Sequence, residues 1–405
     1  MDKKKPEIRF KGFEEEWTFY AFRYLFTEKR DKTQDEFEDQ LLSCAIDGIY
    51  LNSELFNHFR GSTTIGYLKV KKNDLILSAQ NLHLGNANVN LCFASGIISP
   101  AYKVYAINGD DPYFINAWVK SEHAKSFFMT ATTEGASLCR KNIEWEFLYD
   151  KKICIPSIPE QEKIGAFLTT LDKLIAKLEA KLEKLRKLKQ ALLEKMFVNA
   201  NGGEMPEIRF KGYTDKWQVK ELRDFFVVAT ERNQAGEYDK YDIYSVSREH
   251  GVINQIEYQG KSFAGASLAN YGVVQSGDLV YTKSPLKSQP YGIIKTNEGQ
   301  AGIVSALYGV YHPSEYVHSP FTQVYFELDC RLNDYLRPLV NKGAKNTLLI
   351  SDGDSLKGKV AFPNKDEQRN IANLFKGNNL CMRKMELKLT KIRRIKESLL
   401  EKMFV

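Results

Sequence analysis

Pro6-Glu7-Ile8-Arg9-Phe10-Lys11-Gly12-Phe13 returns 200 residues later as Pro206-Glu207-Ile208-Arg209-Phe210-Lys211-Gly212-Tyr213, and Trp17 returns as Trp217. A second pair of matched stretches closes each half. Leu193-Glu194-Lys195-Met196-Phe197-Val198 recurs as Leu400-Glu401-Lys402-Met403-Phe404-Val405, and Pro156, Glu160, Gln161 and Ile164 recur as Pro363, Glu367, Gln368 and Ile371. The chain is therefore an internal duplication. The interiors agree only faintly. Asp74-Leu75-Ile76 echoes Asp278-Leu279-Val280, Gly96-Ile97-Ile98-Ser99 echoes Gly302-Ile303-Val304-Ser305, and Gly135-Ala136 echoes Gly343-Ala344. One scaffold carries two different surfaces, the pattern expected of two similar tasks on unlike targets.

Each half ends in a long helix. Ile164, Leu168, Leu171, Ile175, Leu178, Leu182, Leu185, Lys189, Leu192 and Met196 recur at alternating steps of four and three, as a coiled-coil seam requires. The matching positions are Ile371, Phe375, Asn378, Met382, Met385, Leu389, Ile392, Lys396, Leu399 and Met403. The polar seam residue Lys189 falls on Lys396, and such a residue can fix register. Gly377-Asn378-Asn379 predicts weak or broken first turns in the second helix. Duplication suggests pseudo-twofold, antiparallel pairing of the two helices. The alternative is that each packs separately on its own domain.

The expected fold class is α+β: two α/β-mixed globular domains separated by two long antiparallel coiled-coil helices. The boundaries are 1–157 and 205–363 for the domains, 158–198 and 364–405 for the helices, and 199–204 for a short linker. Strand-like runs are Gly66–Val70, Leu75–Leu77, Ile97–Ile107, Leu279–Thr282, Gly292–Ile294 and Phe321–Phe326. Helical periodicity covers Tyr113–Thr130 and Cys330–Asn341.

At 405 residues and 43% hydrophobic, the chain can bury a core in each half. Lys plus Arg is 58 against 51 acidic residues, a net +7. Residues 160–198 carry nine basic and six acidic side chains and residues 366–405 ten and five, so the helices hold the excess and any basic patch elsewhere is local. Many of those lysines fit a solvated helix face. No apolar run reaches the roughly 20 residues of a membrane span. The basic start has no apolar segment after it, so no secretory signal is expected and the cytoplasm is the expected location. Six cysteines without paired spacing read as reduced core residues rather than a zinc or disulfide framework.

Catalytic motifs are missing. There is no P-loop and no dinucleotide fingerprint. Asp111-Pro112-Tyr113 lacks the second proline of an amino-methyltransferase loop, and Asp352-Gly353-Asp354 lacks the spaced ligands of a calcium loop. Glu179-Ala180-Lys181 lies inside the coiled-coil helix. The reading is a binding chain with no metal or cofactor of its own.

These boxes resemble the DNA specificity subunit of type I restriction-modification systems. The resemblance rests on the doubled Pro-Glu-Ile-Arg-Phe-Lys-Gly-Phe/Tyr box with its Trp, on Pro156-Ser157-Ile158-Pro159-Glu160-Gln161-Glu162-Lys163-Ile164, and on the Leu/Lys-rich helices with their Lys-Met-Phe ends. It covers essentially the whole chain. The second box, Phe362-Pro363-Asn364-Lys365-Asp366-Glu367-Gln368, lacks the second Pro. The resemblance implies two target recognition domains, each reading half of a bipartite, asymmetric double-stranded DNA target. The helices would serve as ruler and dock for two methyltransferase (modification) subunits, which restriction/translocase subunits join. S-adenosylmethionine, ATP and Mg would then belong to the partners, and this chain would not be an enzyme.

Base reading calls for Asn, Gln, Arg and Lys at base edges, with hydroxyl and basic groups on phosphates. Candidates in the first domain are Arg60, Ser62, Thr63 and Thr64; Gln80, Asn81, His83, Asn86 and Asn88; and Ser137, Arg140 and Lys141. In the second they are Lys283, Ser284, Lys287, Ser288, Gln289 and Tyr291, with Lys342, Lys345, Asn346 and Thr347. Each is equally readable as a solvated loop residue. The competing functional reading is a coiled-coil adaptor with two ligand-binding domains and no DNA role.

Overall fold

The computed structural model describes residues 5–57, 63–137, 140–198, 202–262, 265, 267–286, 289–343 and 348–405, and all of their side chains except those of residues 134–137, 140 and 141. It divides into two compact units, Met1–Ala180 with Glu386–Val405, and Lys181–Met385.

The core of the first unit is a four-stranded antiparallel sheet in the order Phe26–Lys29, Tyr102–Ile107, Leu75–Ser78, Ala87–Val89. The second unit repeats it with Phe226–Val228, Tyr308–Pro313, Leu279–Thr282 and Ile293–Thr296. The Asp-Leu-Ile and Asp-Leu-Val echoes open the same inner strand, and Leu75 faces Tyr105 as Leu279 faces Tyr311. This strand is covered on both faces, so Leu75-Ile76-Leu77 reads as an unbroken apolar run.

The glycine echo has a steric cause. Leu41 bridges in parallel to Ile97, and Ile243–Ser247 runs parallel to Gly302–Val304. A Cβ on Gly96 would sit 2.5 Å from Leu42 Cδ1, and one on Gly302 would sit 2.3 Å from the Tyr244 ring. Only glycine admits the neighbouring chain at that distance.

Several local expectations shift. The run Ile97–Ile107 is two strands, Ser95–Ile98 and Tyr102–Ile107, turned where the Tyr102 amide donates to Ser99 O. Phe321–Phe326 is not a strand but part of the helix Ser319–Tyr325. Its aromatic and β-branched composition favours a strand. Pro320 instead sets the first helical turn, and Phe321, Val324 and Tyr325 bury one helical face. Tyr113–Thr130 is two helices, Pro112–Trp118 and Glu122–Met129, the second capped by Ser121. Cys330–Asn341 shortens to Asp329–Leu336. Cys44 and Cys154 are buried, whereas Cys92, Cys330 and Cys381 are exposed, so the cysteines are only partly core residues.

The long helices are Ile158–Lys195 and Lys365–Lys402. The second runs unbroken through Gly377-Asn378-Asn379. One glycine costs about 1 kcal/mol in a helix interior, too little to interrupt a helix of 38 residues whose ends are packed. Along the seam Leu171, Ile175, Leu178, Leu182 and Leu185 are half-buried or buried, as are Met382, Met385, Leu389 and Ile392. In the first unit Asp172 pairs with Lys396 and Glu179 with Arg393. Residue numbers rise along one helix and fall along the other, so the packing is antiparallel. In the second unit Lys189, the counterpart of Lys396, pairs with Glu327.

The helix ends settle what the Lys-Met-Phe repeat is for. Met403 and Phe404 are buried in the core of the first unit, with Phe404 5.4 Å from Phe114. Met196 and Phe197 are buried in the core of the second, with Phe197 5.6 Å from Phe321. The last turns of each helix therefore complete the domain of the other half, and the idea that each helix packs only on its own domain does not hold there.

Candidate nucleic-acid interface

The repeated boxes are framework, not reading surface. Arg9 Nε and Nη2 donate to the two carboxylate oxygens of Glu160, each at 2.7 Å, and Arg209 grips Glu367 identically. Both carboxylates are fully buried. The adjacent glutamines lock the entry to each helix. Gln161 accepts from the Asp111 amide and donates to Asp110 and to Pro156 O. Gln368 accepts from the His318 amide and donates to Tyr316 O and Pro363 O. Finally, the Ile8 amide donates to Lys402 O, and the Ile208 amide to Lys195 O. Sequence reasoning found these boxes without their partners. The signal was present: the only charged residue conserved between the two start boxes besides Glu and Lys is an arginine, and a buried acid needs one.

What varies between the units is the set of loops held by this frame. In the first unit the segment after Leu75–Ser78 is a tight connection with a short 3₁₀ turn, Leu82–Leu84, before the strand Ala87–Val89. Gln80 and Asn81 are exposed at its tip, beside Leu84. His83, Asn86 and Asn88 are buried. Asn86 donates to Cys44 O, and Asn88 to Ala45 O and Cys44 Sγ, so both amides pin the hairpin Leu42–Leu51. Lys120 also donates to Asn88, and to Ile46 O and Ala87 O. Burial pulls the Lys120 ammonium down to about 8 and pushes the Cys44 thiol up to about 11.

Thr63 and Thr64 are tied to an acid. Thr63 Oγ1 and the Thr64 hydroxyl donate to the Glu36 carboxylate, which also takes the Thr64 amide at 2.8 Å. These hydrogen bonds, led by that from Thr63, hold Glu36 below the usual carboxylate range. Thr64 is fully buried and Thr63 exposed. Arg60 and Ser62 lie outside the described residues, as do the side chains of Ser137, Arg140 and Lys141. The last three belong to a hairpin, Thr132–Ser137 with Arg140–Ile143.

In the second unit the loop after Leu279–Thr282 carries exposed Ser284, while Lys283 is paired with Asp352 at 2.7 Å. Gln289 is buried, donating its amide to Asp329. Tyr291 is half-buried, and the Lys342 ammonium lies 5.0 Å from its ring centre. Lys342 itself is exposed, on the short hairpin Asn341–Lys342 with Leu348–Leu349. Lys287, Ser288, Lys345, Asn346 and Thr347 lie outside the described residues. The structure thus brings Lys283, Tyr291 and Lys342 into two neighbouring loops of one unit, and commits Thr64, His83, Asn86, Asn88 and Gln289 to the interior.

Among the described residues no group of His, Cys, Asp or Glu could hold a metal ion. No helix is long and apolar enough to cross a membrane. Asp111 caps the helix Pro112–Trp118 by accepting from the Phe114 amide.

This duplicated fold is that of a type I restriction-modification specificity subunit. It matches the crystal structure of the type I restriction-modification S subunit from M. genitalium with a TM-score of 0.60 at 14% identity, covering 99% of each chain. The chain is also similar to two proteins of Methanocaldococcus jannaschii. One is the type I restriction enzyme MjaVIII specificity subunit, 24% identical over 260 residues, which are 57% of this chain and 55% of that one. The other is the putative type I restriction enzyme MjaX specificity subunit, 22% identical over 350 residues, 80% of this chain and 70% of that one. The chain thus spans about half the length of the first relative. No family model matches it.

Proposed function

We propose that the chain is the non-catalytic, DNA-reading specificity subunit of a type I restriction-modification complex. Each globular domain reads one half of a bipartite, asymmetric target in double-stranded DNA. One observation carries this reading: the boxes that open and close each half lie in the frame, and the loops on that frame differ. Ala79, Gln80 and Asn81 stand where the second unit has Lys283, Ser284 and Pro285. A common frame with unlike loops is what two half-sites of different sequence require.

On this reading the long helices set the separation of the two half-sites. A helix of 38 residues is about 57 Å long at 1.5 Å per residue, enough to bridge more than the roughly 34 Å of one DNA turn. The partners are two methyltransferase subunits and the restriction/translocase subunits, working in the cytoplasm. S-adenosylmethionine, ATP and Mg act on those partners.

The test is domain exchange. Residues 15–155 are replaced by the matching segment of a relative with a different target, and methylated bases are mapped in cells that also carry the partner subunits. The expected result is a new sequence in one half of the site and an unchanged other half. An unaltered site overturns the assignment, as does a complex that fails to bind duplex DNA, which would favour the adaptor reading.

A further inference from the structure

The two units differ at one position of the frame beside the candidate reading segments. Trp145 opens the short helix Trp145–Asp150, which leads into the strand Lys152–Ile155. Asp352 holds the same place ahead of the strand Lys359–Phe362. The neighbours match as well. Lys103 faces Leu77 across the sheet as Gly309 faces Tyr281. The Lys103 ammonium lies 4.2 Å from the centre of the Trp145 ring, and a Cβ on Gly309 would lie 2.8 Å from Asp352 Oδ1. One contact of the frame is therefore a lysine on an indole in the first unit. In the second, glycine makes room there and Asp352 pairs with Lys283 instead.

The Trp145 ring is held, yet its polar atom is unused. Lys103 is anchored by Glu28 at 2.9 Å and by the Tyr149 hydroxyl at 3.0 Å. Tyr149 also packs against Trp145, with ring centres 6.2 Å apart. A cation on one face and a phenol at the flank fix the indole. Trp145 is half-buried, whereas the other three tryptophans are 2% exposed. Among the described residues nothing accepts from the Trp145 indole N–H, and that nitrogen is not enclosed. An indole offers one donor and no acceptor, so its acceptor comes from solvent or from a ligand.

Its place says which ligand. Leu77, opposite Lys103, lies just before the exposed tip Gln80-Asn81, and Trp145 follows directly on the hairpin Thr132–Ser137 with Arg140–Ile143. Trp145 is thus tied to two candidate reading segments of the first domain. We propose that Trp145 reads a base in the first half-site, its indole N–H donating to an acceptor on the base edge, with Lys103 as a positioning residue. This rests on the DNA-reading role proposed above. Phosphates are the same in both half-sites, so a backbone contact made from a shared frame position has no need to differ between the units, whereas base contacts must differ. The exchange of an indole for the Lys283–Asp352 pair is a difference of the second kind.

The experiment uses the full chain assembled with its methyltransferase subunits, on duplexes varied one base pair at a time in the first half-site. Trp145→Phe keeps a ring for Lys103 to cover and removes the donor. It should relax discrimination at one base pair by about three- to tenfold, the usual worth of one hydrogen bond, and leave discrimination in the second half-site as in wild type. Lys103→Gln should relax the same base pair without changing the slope of log affinity against log salt. Duplex should also protect the wild-type complex from acrylamide quenching of tryptophan fluorescence more than it protects Trp145→Phe. Uniform weakening on every duplex overturns base reading in favour of a phosphate contact. Unchanged discrimination in Trp145→Phe overturns the role of Trp145 and leaves the domain assignment standing. A wild-type complex that discriminates in neither half-site removes the DNA-reading role itself, and this proposal with it.

Discussion

Arg209 lays two guanidinium nitrogens on the two carboxylate oxygens of Glu367, each at 2.7 Å, with the acid wholly enclosed. The pair joins the start of the second half to the start of its long helix. Removing one member strands a buried charge, which costs about 3 kcal/mol or more. Glu367→Gln should therefore destabilise the second unit by that amount, seen as faster hydrogen exchange in residues 205–363 with little change in 5–157. The double variant Arg209→Leu with Glu367→Leu should be less damaging than either single one. Equal or additive losses would contradict the argument.

Gly96 tests the close approach of two chains. A Cβ there meets Leu42 Cδ1 at 2.5 Å. Gly96→Ala should lower stability by about 1–3 kcal/mol through overpacking, and Leu42→Ala in the same chain should recover part of it. At Gly302 the obstacle includes the Asp242 carbonyl at 2.5 Å, so trimming Tyr244 should rescue Gly302→Ala poorly. Thermal melts of the four variants decide it.

His312 links two acids, Asp278 through Nδ1 and Glu231 through Nε2. Burial disfavours its charged form, but the hydrogen bonds to Asp278 and Glu231 outweigh it and raise the pKa. A raised value means that the stabilisation is complete below the ordinary histidine range and fades as pH climbs through the folded-state value. In the first unit Lys29 holds the matching Asp74 at 2.6 Å. Stability of the second unit should thus decline from about pH 6 upward, and His312→Gln should flatten that decline. Denaturant midpoints across pH, read separately for the two units by hydrogen exchange, provide the measurement.

Lys342 and Lys283 differ in availability. Lys342 is exposed above Tyr291, whereas Lys283 is held by Asp352. On the DNA-reading proposal, Lys342→Ala should weaken duplex binding by the assembled complex and reduce the slope of log affinity against log salt by about one. Lys283→Ala should change the slope less. The reverse order would show that the Asp352 pair opens on DNA.

The duplication and the helix seams were legible because both rest on spacing. Arg9, Glu160 and Gln161 repeat as Arg209, Glu367 and Gln368, and the repeats mark the joints of the frame. The candidate reading residues were less legible. Asn86 and Asn88 look like solvent-facing amides, but their depth depends on the hairpin Leu42–Leu51 folding over them from some forty residues away. The helix Ser319–Tyr325 was hidden for a related reason: its composition suits a strand, and Pro320 together with its seating against Trp217 and Phe197 makes it a helix. Gly377 erred in the other direction, since a local propensity lost to a cooperative helix.

The seating of Phe404 beside Phe114 has a consequence for biosynthesis. The ribosome makes residues 5–180 early, but the first unit cannot close its core until Met403 and Phe404 emerge, whereas the second has Phe197 in hand before its own domain is translated. The first domain to be made is therefore the last to be finished, and during that wait its open apolar socket is the part of the nascent chain most in need of a chaperone.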